Sequence, residues 1–432
     1  MSLAPEVHLS ADEPLPPAGA LRRCVRLSPE RFLSDYWEKQ PLFSAAADLP
    51  ASFNDLFAID DLDRLFRTGS LRSTFVRVIR DGQDVDPGHW RRSGDSGVKV
   101  AVTDYVDPVA VGAYWDAGST IMVYTIDGLC LPVGDFCRRL ADDVGHRVTA
   151  NAYASPPGRR ALPLHYDNHD VFILQIDGSK RWRVYDAVAP LPFENEQGGD
   201  LGDPGDRTPL IDVTMRPGDT LYIPRGFSHC VQTEDQRSIH LTLGVVGLTW
   251  HDVLSKVLAK VLANERAFRP VLPLGFGGGA ARVRAELPEL VEQAVAAVAR
   301  DGLAEAFDAV EAWESKAKQM EVASVLQRTD QAASLALGSR VRLRSGIRPT
   351  LSDHRADGAT VLVLHRRRIP VPEHLLGVVR LLLDGRAASA QSLAALVPDT
   401  SADETFTLVR ALVGHGVLVP DDDRPVRSGT GS

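Results

Sequence analysis

The chain has 432 residues, of which 44% are hydrophobic and 24% are charged, and its formal net charge at pH 7 is −9. This length exceeds what one hydrophobic core usually serves, so we expect two or three domains. The acidic balance argues against a general nucleic-acid binder, which would carry a basic surface, and it would suit a basic partner.

Cysteine usage and the N-terminus indicate the cellular setting. The four cysteines, Cys24, Cys130, Cys137 and Cys230, form no CxxC pair, so we expect reduced thiols and no disulfide framework. Residues 1–17 have neither the basic start nor the apolar run of a signal peptide. No stretch reaches the roughly 18 apolar residues of a membrane span. We therefore expect a cytoplasmic protein without a membrane partner.

The first hundred residues predict a flexible start, two helices and a loop. Residues 1–24 are expected to be flexible. Ser28 and Pro29 have the N-cap and first-turn identities of a helix start. The apolar face of that helix would consist of Phe32, Leu33, Tyr36 and Trp37. A second helix is predicted after Asp60, and residues 80–100, rich in Asp, Gly and Arg, are predicted to be a loop.

From about residue 120 to 247 the sequence favours short strands. The predicted strands are residues 147–154, 171–176, 181–185, 220–223 and 239–246. Their spacing is typical of a sandwich or barrel. Asp177-Gly178 is interpreted as a hairpin turn between two of them. Residues 194–209 are predicted to form a long surface loop near the mouth of the barrel.

After Thr249 the pattern becomes helical. Seven apolar residues fall on one helical stripe: Trp250, Val253, Leu254, Val257, Leu258, Val261 and Leu262. Further helices are predicted at 284–300 and 303–319. The glycine run within 274–280 lies between helices and lacks a P-loop lysine, so it is not interpreted as a nucleotide-binding loop.

The last part of the chain predicts a winged-helix pattern of helices followed by a strand. The predicted elements are a strand at 359–364, a helix at 375–383, a short helix from Ser389, a helix opened by the capping box of Ser401 and Glu404, and a strand at 417–419.

Two motifs predict a metal site. His165 and Asp167 stand two positions apart beside an apolar strand, and residues at i and i+2 of an extended chain face the same way. Further on, Pro224 and Gly226 turn the chain sharply and deliver His229 at a strand start. Either motif alone would more often be a surface loop or a core histidine. Together they form a facial triad, which leaves three positions of an octahedral metal open.

Lys180 is predicted to face inward. In its strand, Lys180, Trp182 and Val184 share one face, while Arg181 and Arg183 share the other and would be solvated. A buried lysine without an anion is costly, and the carboxylate of a ligand would satisfy it.

The predicted strand at 147–154 has one polar side. Thr149, Asn151 and Tyr153 alternate with apolar residues. If that side faces the cavity, Tyr153 could bind the same carboxylate as Lys180. Alternatively, the polar side faces solvent.

The motifs resemble those of one known family. Residues 165–175 followed by 178–185 resemble the ribosomal oxygenases, the Jumonji C-type 2-oxoglutarate-dependent hydroxylases that modify ribosomal proteins. Residues 221–229 match that family's third-ligand motif, and residues 32–42 are similar to its N-terminal segment. The resemblance has specific motifs over about residues 25–250. Beyond them it rests only on the order of a helical dimerisation region and a winged helix.

The resemblance implies a fold and a domain order. The catalytic domain would be mainly β, a double-stranded β-helix or cupin jelly roll, at residues 25–248. A helical dimerisation region would follow at 249–345 and a winged-helix-like α/β domain at 346–422. Residues 423–432 would form a flexible tail.

The resemblance also implies site residues. They are the Fe(II) ligands His165, Asp167 and His229, the contacts to the 2-oxoglutarate C5 carboxylate from Lys180 and Tyr153, and a polar contribution from Asn151. The general cupin pattern places Asn four positions after the last ligand, but Thr233 stands there in this chain. His240 and Thr242 could line the same pocket or face away from it.

Three functions stay open at this stage. The first is 2-oxoglutarate- and O₂-dependent hydroxylation of Arg or His in a ribosomal protein that enters past residues 194–209. The second is the same reaction on another peptide, such as a natural-product precursor. The third is a regulator with a cupin sensor and a DNA-binding winged helix, which the basic run at 365–368 would support.

We expect the winged-helix-like domain not to bind DNA. A recognition helix inserts its N-terminal end beside phosphates, and the helix after Ser401 begins with Asp403 and Glu404, which phosphates would repel. The expected partners are a protein or peptide substrate and a second copy of the chain, paired through the apolar stripe at 250–262.

Overall fold

The computed structural model divides the chain into two compact units, Met1–Leu248 and Thr249–Ser432. It describes residues 19–95, 101–158, 163–196, 198–272, 281–317, 326–344, 347, 349–354, 359–364, 367–385 and 387–421. The predicted flexible tail and the glycine run fall outside these residues, as do residues 1–18 of the predicted flexible start.

Helices of the first unit cover the N-terminal part of the sheet. They are α1 (Ala20–Cys24), α2 (Pro29–Asp35), α3 (Ile59–Arg67), α4 (Pro108–Asp116), α5 (Ile126–Leu129) and α6 (Leu131–Val144). Ser28 caps α2 as predicted, because its side chain accepts from the Arg31 N–H at 3.3 Å. Phe32 is buried but Leu33 is exposed, so Leu33 does not belong to the predicted apolar face.

Helix α1 corrects the predicted flexible start. Leu21 and Cys24 are buried in the main core, and the Leu21 N–H donates to the Asp143 carboxylate at 2.8 Å. The prediction of flexibility for residues 1–24 is therefore wrong from residue 20 onward, because apolar contacts and this cap anchor the segment. The four cysteines are free, as predicted.

The strands of the first unit form a nine-stranded sheet and a separate hairpin. They are β1 (Leu42–Ser44), β2 (Val76–Arg80), β3 (Gln83–Asp84), β4 (Arg91–Asp95), β5 (Ala101–Val106), β6 (Thr120–Val123), β7 (Arg147–Ser155), β8 (Asp170–Ala187), β9 (Ile211–Met215), β10 (Thr220–Ile223) and β11 (Phe227–Val246). The sheet order is β1-β10-β8-β11-β7-β6-β2-β3, with β9 also paired to β8, and β4 pairs with β5. The mainly β unit that the sequence predicts is thus present.

The predicted hairpin at Asp177-Gly178 is wrong. β8 continues through both residues, and its two halves pair antiparallel with the same partner, β11. The register shifts at this point, where the φ of Gly178 is +61° and an added Cβ would lie 1.8 Å from the Arg237 carbonyl oxygen. Gly178 therefore marks a bend with a bulge in two long strands.

The predicted loop at residues 80–100 is wrong for the part that the structure describes. β3 and β4 occupy it, and Trp90 between them is only 1% exposed. The indole N–H of Trp90 donates to the Val85 carbonyl oxygen at 3.2 Å. Burial of this large side chain orders a segment whose polar composition suggested a loop.

The second unit combines a helical region with small sheets. Its helices are α7 (Trp250–Asn264), α8 (Ala281–Ala317), α9 (Arg328–Ser334), α10 (Leu376–Leu383), α11 (Ala390–Leu396) and α12 (Ala402–Gly414). Its strands are β12 (Arg340–Leu343), β13 (Thr350–His354), β14 (Ala359–Leu364), β15 (Arg367–Val371), β16 (Ala388–Ser389) and β17 (Leu418–Pro420). β12 lies between β16 and β17, and β13, β14 and β15 form a meander. No helix in the described ranges is both long and apolar enough to cross a membrane.

Helix α8 replaces the two helices predicted at 284–300 and 303–319. The chain stays helical through residues 301 and 302, which separate the two predicted helices. A Cβ added to Gly302 would lie 3.1 Å from a Val257 methyl of α7 and 3.0 Å from a Val298 methyl. This glycine therefore allows close packing of α7 against α8 and does not end a helix.

Gly178→Ala should lower the stability of the first unit by about 2 kcal/mol or more, because a non-glycine residue in the left-handed region costs about 1–2 kcal/mol before the contact with the Arg237 oxygen is relieved. Gly247→Ala is the matched control, since no atom lies within 4 Å of its added Cβ and its φ is not in the left-handed region. Denaturant midpoints followed by circular dichroism would test this. Equal midpoints for the two variants would contradict the bend assignment.

Candidate metal centre

The backbone brings the predicted metal ligands together. His165 and His229 form an isolated β-bridge, in which the His229 N–H donates to the His165 oxygen at 2.8 Å and the His165 N–H donates back at 3.2 Å. The Gly226 N–H donates to the backbone carbonyl oxygen of Asp167 at 2.9 Å. The φ of Gly226 is +86°, and an added Cβ would lie 1.7 Å from the Ala189 oxygen, so only glycine fits this turn.

The three side chains face one point. The Nε2 atom of His165 lies 3.9 Å from one oxygen of Asp167, and the Nε2 atom of His229 lies 3.8 Å from the other. The three possible ligand atoms all lie within 4.8 Å of one another. This spacing suits a single ion between them.

The tautomers of both histidines suit a metal. The Nδ1 atom of His165 lies 2.8 Å from the Pro163 oxygen, and the Nδ1 atom of His229 lies 3.2 Å from the Phe227 oxygen. Each carbonyl can accept a hydrogen bond from Nδ1–H. The Nε2 atom, which faces Asp167, then keeps its lone pair for a metal. Burial, and then the neighbouring His165, lower the pKa of His229 to about 4. Two neutral imidazoles and a carboxylate therefore fit a divalent cation.

Lys180 faces inward, as predicted. It is 1% exposed, and its Nζ donates to the Ser155 hydroxyl at 3.0 Å. Burial lowers the pKa of Lys180 to about 7. On the opposite face Arg181 is exposed and pairs with Asp212 at 2.7 Å. The alternation inferred from the sequence is thus confirmed by the structure.

One cavity of about 530 Å³ joins the candidate residues. It is lined by the three possible metal ligands and by Lys180, Asn151, Tyr153, Trp182, His240 and Thr242. Asn151 and Tyr153, on the polar side of β7, therefore face the cavity, and the solvent-facing alternative is wrong for these two residues. Burial, and then the nearby Asp167, raise the pKa of Tyr153. The Asn151 Oδ1 accepts from the Thr125 N–H at 3.1 Å.

Part of the predicted loop at 194–209 borders this cavity. Gly198, Gly199 and Asp200 line it. A Cβ added to Gly198 would lie 2.4 Å from the Tyr166 ring, and the Leu201 N–H donates to the Leu164 oxygen at 2.9 Å. This part of the loop is therefore held against the segment before β8 that carries His165 and Asp167.

Several lining residues were not found from the sequence. Ser155, which accepts the hydrogen bond of the lining residue Lys180, lies two positions after Tyr153, so the alternation along β7 could have identified it. Arg77, Gln83 and Tyr124 also line the cavity, but they come from the N-terminal part of the sheet, where no motif marks them.

Thr233, which replaces the Asn of the cupin pattern, has a packing role in the structure. It is fully buried, and its hydroxyl donates to the Pro156 oxygen at 2.7 Å. It is not among the residues that line the cavity.

Comparisons with known proteins agree with this geometry. The JmjC domain family matches residues 134–253. Ribosomal oxygenase 1 of Gallus gallus is 29% identical over 267 residues, which cover 58% of this chain and 42% of that protein. A Drosophila persimilis protein named bifunctional lysine-specific demethylase and histidyl-hydroxylase NO66 is 30% identical over 235 residues, covering 54% and 32%. The chain thus spans less than half the length of these relatives.

A solved structure shares the fold. The ribosomal oxygenase YcfD of Escherichia coli, in complex with cobalt and 2-oxoglutarate, has a TM-score of 0.53 and 17% sequence identity. The alignment covers 92% of this chain and 99% of that one. The first unit is therefore a β-rich domain of the JmjC/cupin type.

Lys180→Met should remove a pH dependence of stability. The pKa of Lys180 is about 7 in the folded protein and near 10.5 in the unfolded chain. Between these values the unfolded chain binds the extra proton, so the stability of the ligand-free protein should rise with pH. Melting temperatures at pH 7 and pH 9 would test this, with exposed Lys39→Met as control. Parallel pH profiles for wild type and Lys180→Met would contradict it.

Proposed function

We propose that this chain, which carries a JmjC domain homologous to those of ribosomal oxygenases, is an Fe(II)- and 2-oxoglutarate-dependent oxygenase that hydroxylates a protein side chain. The observation that carries the proposal is one cavity with a two-histidine, one-carboxylate cluster and a buried lysine. These are the groups that a metal and a dicarboxylate co-substrate need.

The protein's own residues have separate roles in this proposal. His165, Asp167 and His229 hold the iron on one side and leave the cavity side open. Lys180 and Tyr153 receive the C5 carboxylate, and Asn151 adds a polar contact. With iron and 2-oxoglutarate bound, the site can use O₂ to hydroxylate a C–H bond while 2-oxoglutarate becomes succinate and CO₂. The substrate would enter past the loop at 194–209, of which Gly198, Gly199 and Asp200 line the cavity.

The proposed substrate is an arginine or histidine of a ribosomal protein. The relatives' names, ribosomal oxygenase and histidyl-hydroxylase, support a ribosomal protein and a histidine. The excess of Glu and Asp over Arg in the loop at 194–209 suits a cationic side chain such as arginine. Hydroxylation of another peptide, such as a natural-product precursor, is the second candidate. Mass spectrometry of lysates from a deletion strain, searched for peptides that gain one oxygen atom on addition of the enzyme, distinguishes the two. We place this reaction in the cytoplasm.

The second unit is proposed to contain a helical dimerisation region at 249–345 and a winged-helix-like domain at 346–422. Along α7, Val253, Val257 and Val261 are buried, whereas Trp250 and Leu254 are 81% and 57% exposed. This exposed part of the stripe supports pairing of two copies into a homodimer.

Replacement of His165, Asp167 or His229 by Ala should abolish turnover, because two remaining ligands hold Fe(II) weakly. Anaerobic iron binding and succinate production would be measured together. His169→Ala is the control for iron binding, since His169 lines the cavity outside the cluster. Full succinate production by the Asp167 variant would refute the facial triad.

Lys180→Ala should weaken 2-oxoglutarate binding by about 2–5 kcal/mol, because it leaves the partner charge desolvated and unpaired. Tyr153→Phe should cost less, since it removes one neutral hydroxyl. Iron affinity should not change in either variant. Calorimetric titration under anaerobic conditions is the measurement, and an unchanged 2-oxoglutarate affinity in Lys180→Ala would exclude this carboxylate site.

The second unit should not shift random duplex DNA in an electrophoretic assay at low salt. Asp403 and Glu404 stand at the start of α12, where Glu404 forms a capping box with Ser401, so phosphates would be repelled there. Tight, salt-sensitive binding that is lost when Arg366–Arg368 are neutralised would instead favour the regulator hypothesis. Arg366 lies outside the described residues.

A further inference from the structure

The wall of the cavity around Lys180 contains ring nitrogens without partners. His240 is 2% exposed, and its Nδ1 atom is buried without a hydrogen-bond partner among the described residues. The same holds for the Nε1 atom of Trp182, which is 4% exposed. Buried polar atoms without partners are rare, and each needs a physical explanation.

The ring of His240 is held in place on two sides. It stacks on Tyr153 with ring centroids 4.8 Å apart and an angle of 3° between the planes. Trp182 lies edge-to-face against it at 5.5 Å. A large rotation toward another partner would break both contacts, so the ring is presented to the cavity in one plane.

Donors outnumber acceptors at this end of the cavity. Among the residues that the structure describes, Ser155 is the only hydrogen-bond acceptor of the Lys180 ammonium, which can donate three hydrogen bonds. The Trp182 N–H and the Tyr153 hydroxyl line the same space. Burial, followed by the charge of Lys180, lowers the pKa of His240 well below its usual value, so its imidazole is neutral. A neutral imidazole also offers one N–H. Such a wall suits a carboxylate, which only accepts.

The position of His240 indicates which end of 2-oxoglutarate it would contact. The ring of Trp182 contacts both histidines, with its centroid 6.0 Å from that of the proposed ligand His229 and 5.5 Å from that of His240. The two histidines differ in their charged neighbours, because the charge of Lys180 acts on His240, whereas His165 and Asp167 act on His229. His240 therefore belongs to the part of the cavity wall near Lys180.

We propose that His240 is a further binding residue for 2-oxoglutarate, donating a ring N–H to the carboxylate remote from the metal. This inference rests on the proposed function and adds to it a residue beside Lys180 and Tyr153. An apolar ring could stack on Tyr153 equally well without leaving a buried nitrogen unpaired, so the ligand supplies the reason for an imidazole here.

The test compares His240→Phe with His240→Asn. Phe keeps the stacking and removes both nitrogens, whereas Asn keeps an amide N–H near the Nδ1 position. The Kd of 2-oxoglutarate would be measured by anaerobic titration of the full-length Fe(II) protein, and the Kd of Fe(II) separately. We expect Phe to raise the Kd of 2-oxoglutarate about tenfold or more, as loss of a hydrogen bond to a charged group implies, and Asn to stay within about threefold. The Kd of Fe(II) should be unchanged.

A second ligand tests whether His240 contacts the remote carboxylate. 2-Oxopentanoate lacks the remote carboxylate, so wild type and His240→Phe should bind it equally. Gln83→Leu, at the outer part of the cavity, is the matched control and should bind both ligands like wild type. The melting temperature without ligand should not fall in His240→Phe; if that variant does not fold, His240→Ala replaces it beside Asn.

The outcomes are distinct. Unchanged 2-oxoglutarate affinity in His240→Phe, equal weakening of both ligands, or equal losses in the Phe and Asn variants would each overturn the assignment of His240. Failure of the wild-type Fe(II) protein to bind 2-oxoglutarate at all would refute the proposed function instead.

Discussion

The pairing of β8 with β11 is the constraint on which the candidate site depends. β8 carries Lys180 and Trp182, and β11 carries His229 and His240, so the register between the two strands sets the spacing among these four side chains. A separate bridge near the start of β11 joins His229 to His165. A slip of one residue would turn these side chains to the other face of the sheet. The bend of both strands and the hydrogen bonds between them therefore determine which side chains face the cavity.

The cavity separates two kinds of polar group. At one end, two neutral imidazoles and a carboxylate present lone pairs, which suit a cation. At the other end, Lys180, Tyr153, Trp182 and His240 present mainly donors, which suit an anion. The two sets do not satisfy each other among the described residues, because the Lys180 ammonium donates to Ser155 and the ring nitrogens Nδ1 of His240 and Nε1 of Trp182 are buried without a partner. A chelating dicarboxylate that spans metal and lysine would satisfy both ends.

The N-terminal segment braces the turn that delivers the third possible ligand. Glu38 forms an ion pair with Arg225 at 2.6 Å, next to Gly226. The Glu38 N–H also donates to the Tyr222 hydroxyl at 2.9 Å, and that hydroxyl donates to Asp170 at 2.7 Å. Burial raises the pKa of Asp170 to about 6. This network joins residues distant in sequence to the strands of the site, so the N-terminal segment has a structural role there.

The sequence alone determined what depends on local spacing. The two-residue period of a strand placed His165 beside Asp167 and turned Lys180 inward, and capping residues marked helix starts such as Ser28. Tertiary structure decided what depends on distant partners. Gly178 could have been a hairpin turn, and only pairing of both halves of β8 with β11 makes it a bend. Gly302 could have ended a helix, but it allows α7 to pack closely. His240 was ambiguous because the face of a strand that meets a cavity is set by its neighbours in the sheet.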